Sequence, residues 1–132
     1  MTSYKLKAGT YLVEDPALIF KKDEAGTKLT QELWNIFYQD ANQFQYLTLD
    51  GITFYITRTA EGDGYYQGVG TDTGTIMIIH VEEHIHDQRL NLILHRRGML
   101  TLELHEDGFV EVDHFNIYFS NGQNIRTNSD VV

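Results

Sequence analysis

The chain has 132 residues, 42% of them hydrophobic, with one proline and no cysteine. At that length a single domain spanning 1–132 buries ~65–70% of the surface its unfolded chain exposes, so folding needs neither metal nor disulfide. Without cysteine there is no disulfide framework, no thiolate nucleophile and no Cys-containing zinc site. Nineteen acidic against ten basic residues give a formal charge of −9, which disfavours free nucleic acid and anionic membranes and suits a basic protein partner.

The opening residues, Met1 to Lys7, lack the apolar core of a signal peptide, and no apolar run approaches the ~18 residues of a membrane span. A cytoplasmic location is the expectation. Residues 10–14 are β-prone and lead into Asp15-Pro16, a good N-cap and N1 pair for a short helix over 16–25 closed by Gly26. A strand through Leu18-Ile19-Phe20 turning at 23–26 competes equally. Next, Leu29, Leu33, Phe37 and Ala41 recur at helical spacing, which predicts an amphipathic helix over about 30–42 with Thr30 as N-cap and its apolar stripe in the core.

Residues 46–57 form two β-rich runs around Asp50-Gly51, a strong hairpin signal. The glycine-rich stretch 61–74 misses the dinucleotide-loop spacing at Gly68, Gly70 and Gly74, and its Asp63 and Asp72 lack calcium-loop spacing. Two turns flanking a short strand from Tyr65 to Val69 fit it better.

The run 75–119 reads as four consecutive antiparallel strands. His95-Arg96-Arg97-Gly98 and His105-Glu106-Asp107-Gly108 both suggest three-residue hairpin loops ending in a left-handed glycine. That choice sets Leu94 opposite Leu100, Leu92 opposite Leu102, and Leu104 opposite Val110, which matches apolar residues throughout. With Asp87-Gln88 as a two-residue connection, Met77, Ile79, Val81 and Ile85 join the same face. Around Asp113-His114 the apolar set changes parity, which demands a bulge or bend. Ile76 and Ile78 are apolar beside Met77 and Ile79, so this end of the strand is covered on both sides. The expected fold is therefore mostly β, β-rich α+β: a strongly curved antiparallel meander or small β-barrel with one helix packed on it. The polar tail 121–132 is expected to be partly disordered.

Opposite the apolar face, the same register gathers His80, Glu82, His84, His86, His95, Glu103, His105 and Glu111. These are candidate ligands for a divalent metal of the His/carboxylate type. The His84-Ile85-His86 tripeptide resembles the His-x-His with which cupin barrels hold metal, although no carboxylate follows at the family's spacing and the later glycine-proline-histidine motif is absent. The alternative is a solvated outer face on which polar residues alternate with core aliphatics. The three serines lack any nucleophile-elbow context. Two functions follow as expectations. One is a non-enzymatic acidic binding protein, inhibitor- or immunity-like, that needs no cofactor and acts on a protein partner. The other is a small-molecule or metal-binding barrel using the His80, His84 and His86 face. A homodimer through 75–86 is expected only if that strand lies at a sheet edge.

Overall fold

The computed structural model describes residues 2–40 and 43–130. The chain opens with β1 (Thr2–Leu6) and β2 (Gly9–Glu14), and Asp15 then caps α1 (Pro16–Ile19) by accepting from the Ala17 amide at 3.0 Å. Asp15-Pro16 thus acts as the cap and first-turn pair that its chemistry favours, but the helix ends at Ile19, well short of 25.

A second helix, α2 (Glu24–Phe37), begins six residues before the predicted start. Asp23 is its N-cap, accepting from the Gly26 amide at 2.8 Å. Gly26 does not terminate a helix. It lies in the first turn of α2, where a Cβ would fall 1.7 Å from the Lys21 carbonyl oxygen, so only glycine permits this close approach. Thr30 is interior and returns its hydroxyl to the Gly26 carbonyl at 2.9 Å. Leu29, Leu33 and Phe37 form the buried stripe, as their spacing requires. The helix ends at Phe37 with Tyr38 as its C-cap, short of the predicted end at 42; residues 41 and 42 themselves lie outside the described residues.

Strands β3 (Phe44–Leu49) and β4 (Ile52–Arg58) form the hairpin expected around Asp50-Gly51. Both turn residues have positive φ, 47° and 85°, the two-residue geometry that suits the twist of paired strands. The glycine-rich stretch makes a small hairpin, β5 (Gly64–Tyr66) and β6 (Val69–Thr71), rather than one strand over 65–69. Its turn is Gln67-Gly68, again with positive φ at both positions.

The predicted meander is where the structure differs most. β7 (Thr75–His80) stops at His80, whose imidazole Nδ1 accepts from the Glu83 amide at 3.2 Å and caps a short helix, α3 (Val81–His84). Residues 85–99 are turns and coil carrying one isolated bridge, Phe20 to Leu90, so no strand forms over 90–94. β8 (Leu100–Leu104) pairs with β2 instead. β9 (Gly108–Asp113) pairs with β1 and with β10 (Asn116–Phe119), so the 105–108 segment joins two different sheets. The parity change near 113 is a hairpin turn at His114-Phe115, with φ of 48° and 69°. The expected tail contains β11 (Asn124–Ile125), paired with β10, and buries Ile125 and Thr127.

The result is mostly β, in three open antiparallel sheets: β1-β9-β10-β11, β3-β4-β7-β2-β8 and β5-β6. None closes into a barrel. The middle of the five-stranded sheet, at β7, is buried on both faces, as the doubly apolar sequence of that strand requires. One face packs against the four-stranded sheet through Val13, Ile76, Ile78, Leu102, Val110 and Ile117. The other packs against α1 and α2 through Leu12, Ile19, Leu33, Phe37, Phe54 and Met77. No helix is long and apolar enough to cross a membrane among the described residues.

Candidate functional site

The four-stranded sheet covers only part of the five-stranded one, and a cleft of about 760 Å³ opens beside its first strand. Alternation along β1 and β9 decides which side chains reach it. Tyr4, Val110 and Val112 point into the core, and Leu6 is buried there while also bordering the cleft. Their neighbours Ser3, Lys5, Phe109 and Glu111 line the cleft, with Ser3 opposite Glu111 and Lys5 opposite Phe109.

The floor comes from the five-stranded sheet. Tyr46 and Tyr55 face one another across the β3–β4 hairpin, with ring centroids 4.8 Å apart, and Thr53, Ile78, His80 and Tyr11 continue the surface. Tyr4 packs against Tyr55 and Phe44 at 5.3 and 5.1 Å, anchoring the aromatic floor to the core with geometries that favour ring contact. Tyr46 is 48% exposed. Tyr55 and Tyr11 also seat the β1 edge, because their hydroxyls donate to the carbonyls of Lys5 (3.0 Å) and Lys7 (2.8 Å). Burial pushes both phenols above their usual range, so they remain protonated donors.

The end wall is charged. Lys7 forms an ion pair with Glu83, which holds the Glu83 carboxyl below the usual range and raises the Lys7 ammonium. Asp107 accepts from the Ala8 amide at 2.8 Å. Setting the Lys7–Glu83 pair aside, Asp107 and Glu111 face Lys5, and the balance is acidic.

The eight metal-ligand candidates do not share a face, because the register that aligned them does not form. His80 and Glu111 both line the cleft. The His80 ring is engaged at both ends: Nδ1 accepts from the Glu83 amide, and Nε2 lies 3.1 Å from the Ala8 carbonyl, to which it donates. Glu82 turns its carboxylate onto the Thr10 amide at 2.5 Å. His84 is buried on α3 with Nε2 near the Thr53 amide and hydroxyl, at 3.4 and 3.3 Å. His86 and His95 are exposed in the 85–99 coil, Glu103 is exposed on β8, and His105 is exposed in the turn before β9. Among the described residues no group of three or more His, Asp and Glu side chains is placed to hold a metal ion.

Sequence reading missed the tyrosine floor, the two lysines, Glu83 and Asp107. For Tyr46 and Tyr55 a signal existed, since the Asp50-Gly51 hairpin register sets them opposite one another. The meeting of β1 with the five-stranded sheet had no local signal. No family model, curated protein or solved structure matches the chain.

Proposed function

We propose that this is a non-enzymatic binding protein whose cleft receives a basic segment of a protein partner. The observation that carries the reading is a tyrosine floor, exposed at Tyr46, beneath walls in which Asp107 and Glu111 outweigh Lys5. Aromatic faces attract cations, and a carboxylate-biased wall adds to that preference. The formal charge of −9 would draw a basic partner in by long-range steering.

A second reading has its own support. The cleft volume of about 760 Å³ falls within the roughly 300–1,000 Å³ of small-molecule sites, and its floor is ring-lined.

One experiment separates them. A labelled peptide rich in Lys, Arg and Tyr is titrated against the protein by fluorescence anisotropy, beside an acidic peptide of equal length and neutral aromatic fragments followed by ligand-observed NMR. The basic peptide should bind, weaken with salt, and lose at least tenfold in affinity in Glu111→Lys and in Tyr46→Ala. Equal binding of the acidic peptide, or indifference to Glu111→Lys, overturns the first reading. Fragments that bind wild type but not Tyr46→Ala, with the basic peptide silent, assign the cleft to a small molecule.

A further inference from the structure

We infer that β3 is a self-pairing edge, and that two copies join through it into one continuous ten-stranded sheet. The hairpin geometry shows which peptide groups are available. The two-residue Asp50-Gly51 turn makes Leu49 and Ile52 the closing hydrogen-bonded pair. Alternate residues of an antiparallel strand direct their N–H and C=O to the same side, so Leu49 and Leu47 face β4 while Thr48 and Tyr46 face outward. Among the described residues, the structure gives the outward amides and carbonyls of Tyr46 and Thr48 no hydrogen bond.

The other edges of the two larger sheets are protected. On β1 the outward Lys5 carbonyl takes the Tyr55 hydroxyl. On β8 the exposed, charged Glu103 sits at the edge, and its carbonyl lies 3.5 Å from the Asn121 side-chain amide. β11 is only two residues long. Shortness, charge and capping are the usual devices against edge pairing. β3 is six residues long, and its sequence, Phe44-Gln-Tyr-Leu-Thr-Leu49, contains no charge and no proline.

A second copy fits this edge better than an unrelated strand. A two-fold axis at Tyr46 or at Leu47 sets outward groups against outward groups in both copies at once, the closed, self-complementary arrangement typical of homodimers. Residues opposite one another in such a pair share a face. Tyr46 or Thr48 of the second copy would therefore extend the tyrosine floor of the first, and the two clefts would become one surface. The charge of −9 on each copy opposes association, but it is screened beyond ~8 Å at physiological salt. The strand-pairing contact is uncharged. Added salt should therefore strengthen the dimer, opposite to its effect on basic-peptide binding, so this inference stands or falls apart from the cleft reading.

Sedimentation velocity across protein concentration and salt tests it. Wild type should move from 15.3 kDa toward twice that mass, with the midpoint falling at higher salt. Thr48→Pro removes the outward donor without touching the β3–β4 ladder, and Thr48→Lys adds an edge charge. Each should weaken dimerisation at least tenfold, with circular dichroism unchanged in the lysine variant should the proline one misfold. Wild type that stays monomeric at high concentration and salt overturns the inference. So does a dimer indifferent to Thr48→Lys, a dimer that dissolves with salt, or open-ended assembly.

Discussion

Gly9 shows how closely the β1–β2 link is built around the cleft. Its φ is +139°, and a Cβ there would sit 2.3 Å from His80 Nε2 and 2.9 Å from a Glu82 carboxylate oxygen. Two side chains singled out as metal ligands thus serve as clamps on this link: His80 through the Ala8 carbonyl, Glu82 through the Thr10 amide. Their donor atoms were visible in the sequence, but what they would meet was not, because Ala8 and Thr10 lie some seventy positions away. Gly9→Ala should destabilise the protein by about 2 kcal/mol or more, from strained backbone plus steric contact. In a His80→Ala background the penalty should shrink without vanishing, since only the contact is relieved. Denaturant midpoints at unchanged slope measure both.

At the scale of elements, local chemistry was legible and long-range pairing was not. The β3–β4 hairpin follows from Asp50-Gly51, and the buried stripe of α2 follows from Leu29, Leu33 and Phe37. The start of α2 was misplaced because Gly26 reads as a stop while Thr30 reads as a cap. The deciding contact, Gly26 against the Lys21 carbonyl, is local, but it depends on how the chain bends into the helix rather than on residue type alone. Asp23→Ala should cost about 1 kcal/mol in thermal or denaturant unfolding, whereas Thr30→Ala should stay within about 0.5 kcal/mol. The meander failed for a different reason. The apolar alternation of 100–104 fits β2 as well as it fits 90–94, and adjacent pairing is only the commoner outcome. β8 pairs with β2, and β9 pairs with β1 as well as with β10; no periodicity within 75–119 can announce strands at the other end of the chain.

Across the whole molecule, one buried ion pair ties these distant parts together. Glu14, at the end of the interior strand β2, has a side chain 0% exposed, and the Arg96 guanidinium meets it with two bonds, Nε at 2.8 Å and Nη2 at 2.5 Å. Arg96 also donates to the carbonyls of Leu18 in α1 and Asn91 in the coil, at 3.2 and 3.3 Å. The 85–99 segment, which has no sheet of its own, is thereby fastened to the helices and the central sheet. Burial pushes the Glu14 carboxyl above its usual range, and Arg96 opposes that push. A carboxyl that holds its proton more tightly in the folded state loses stability as pH rises from the ordinary carboxylate range through the raised folded value. Arg96→Met removes the opposing charge, so the carboxyl should rise further and the variant should be about 3 kcal/mol less stable at neutral pH. That deficit should shrink on acidification toward the ordinary carboxylate range, below which Glu14 is neutral in both states. The double variant Glu14→Gln/Arg96→Met should recover part of the loss and flatten its pH dependence. Urea unfolding from neutral to mildly acidic pH measures the set. A deficit in Arg96→Met that is constant with pH would show that the loss comes from the Leu18 and Asn91 carbonyls rather than from a stranded carboxylate.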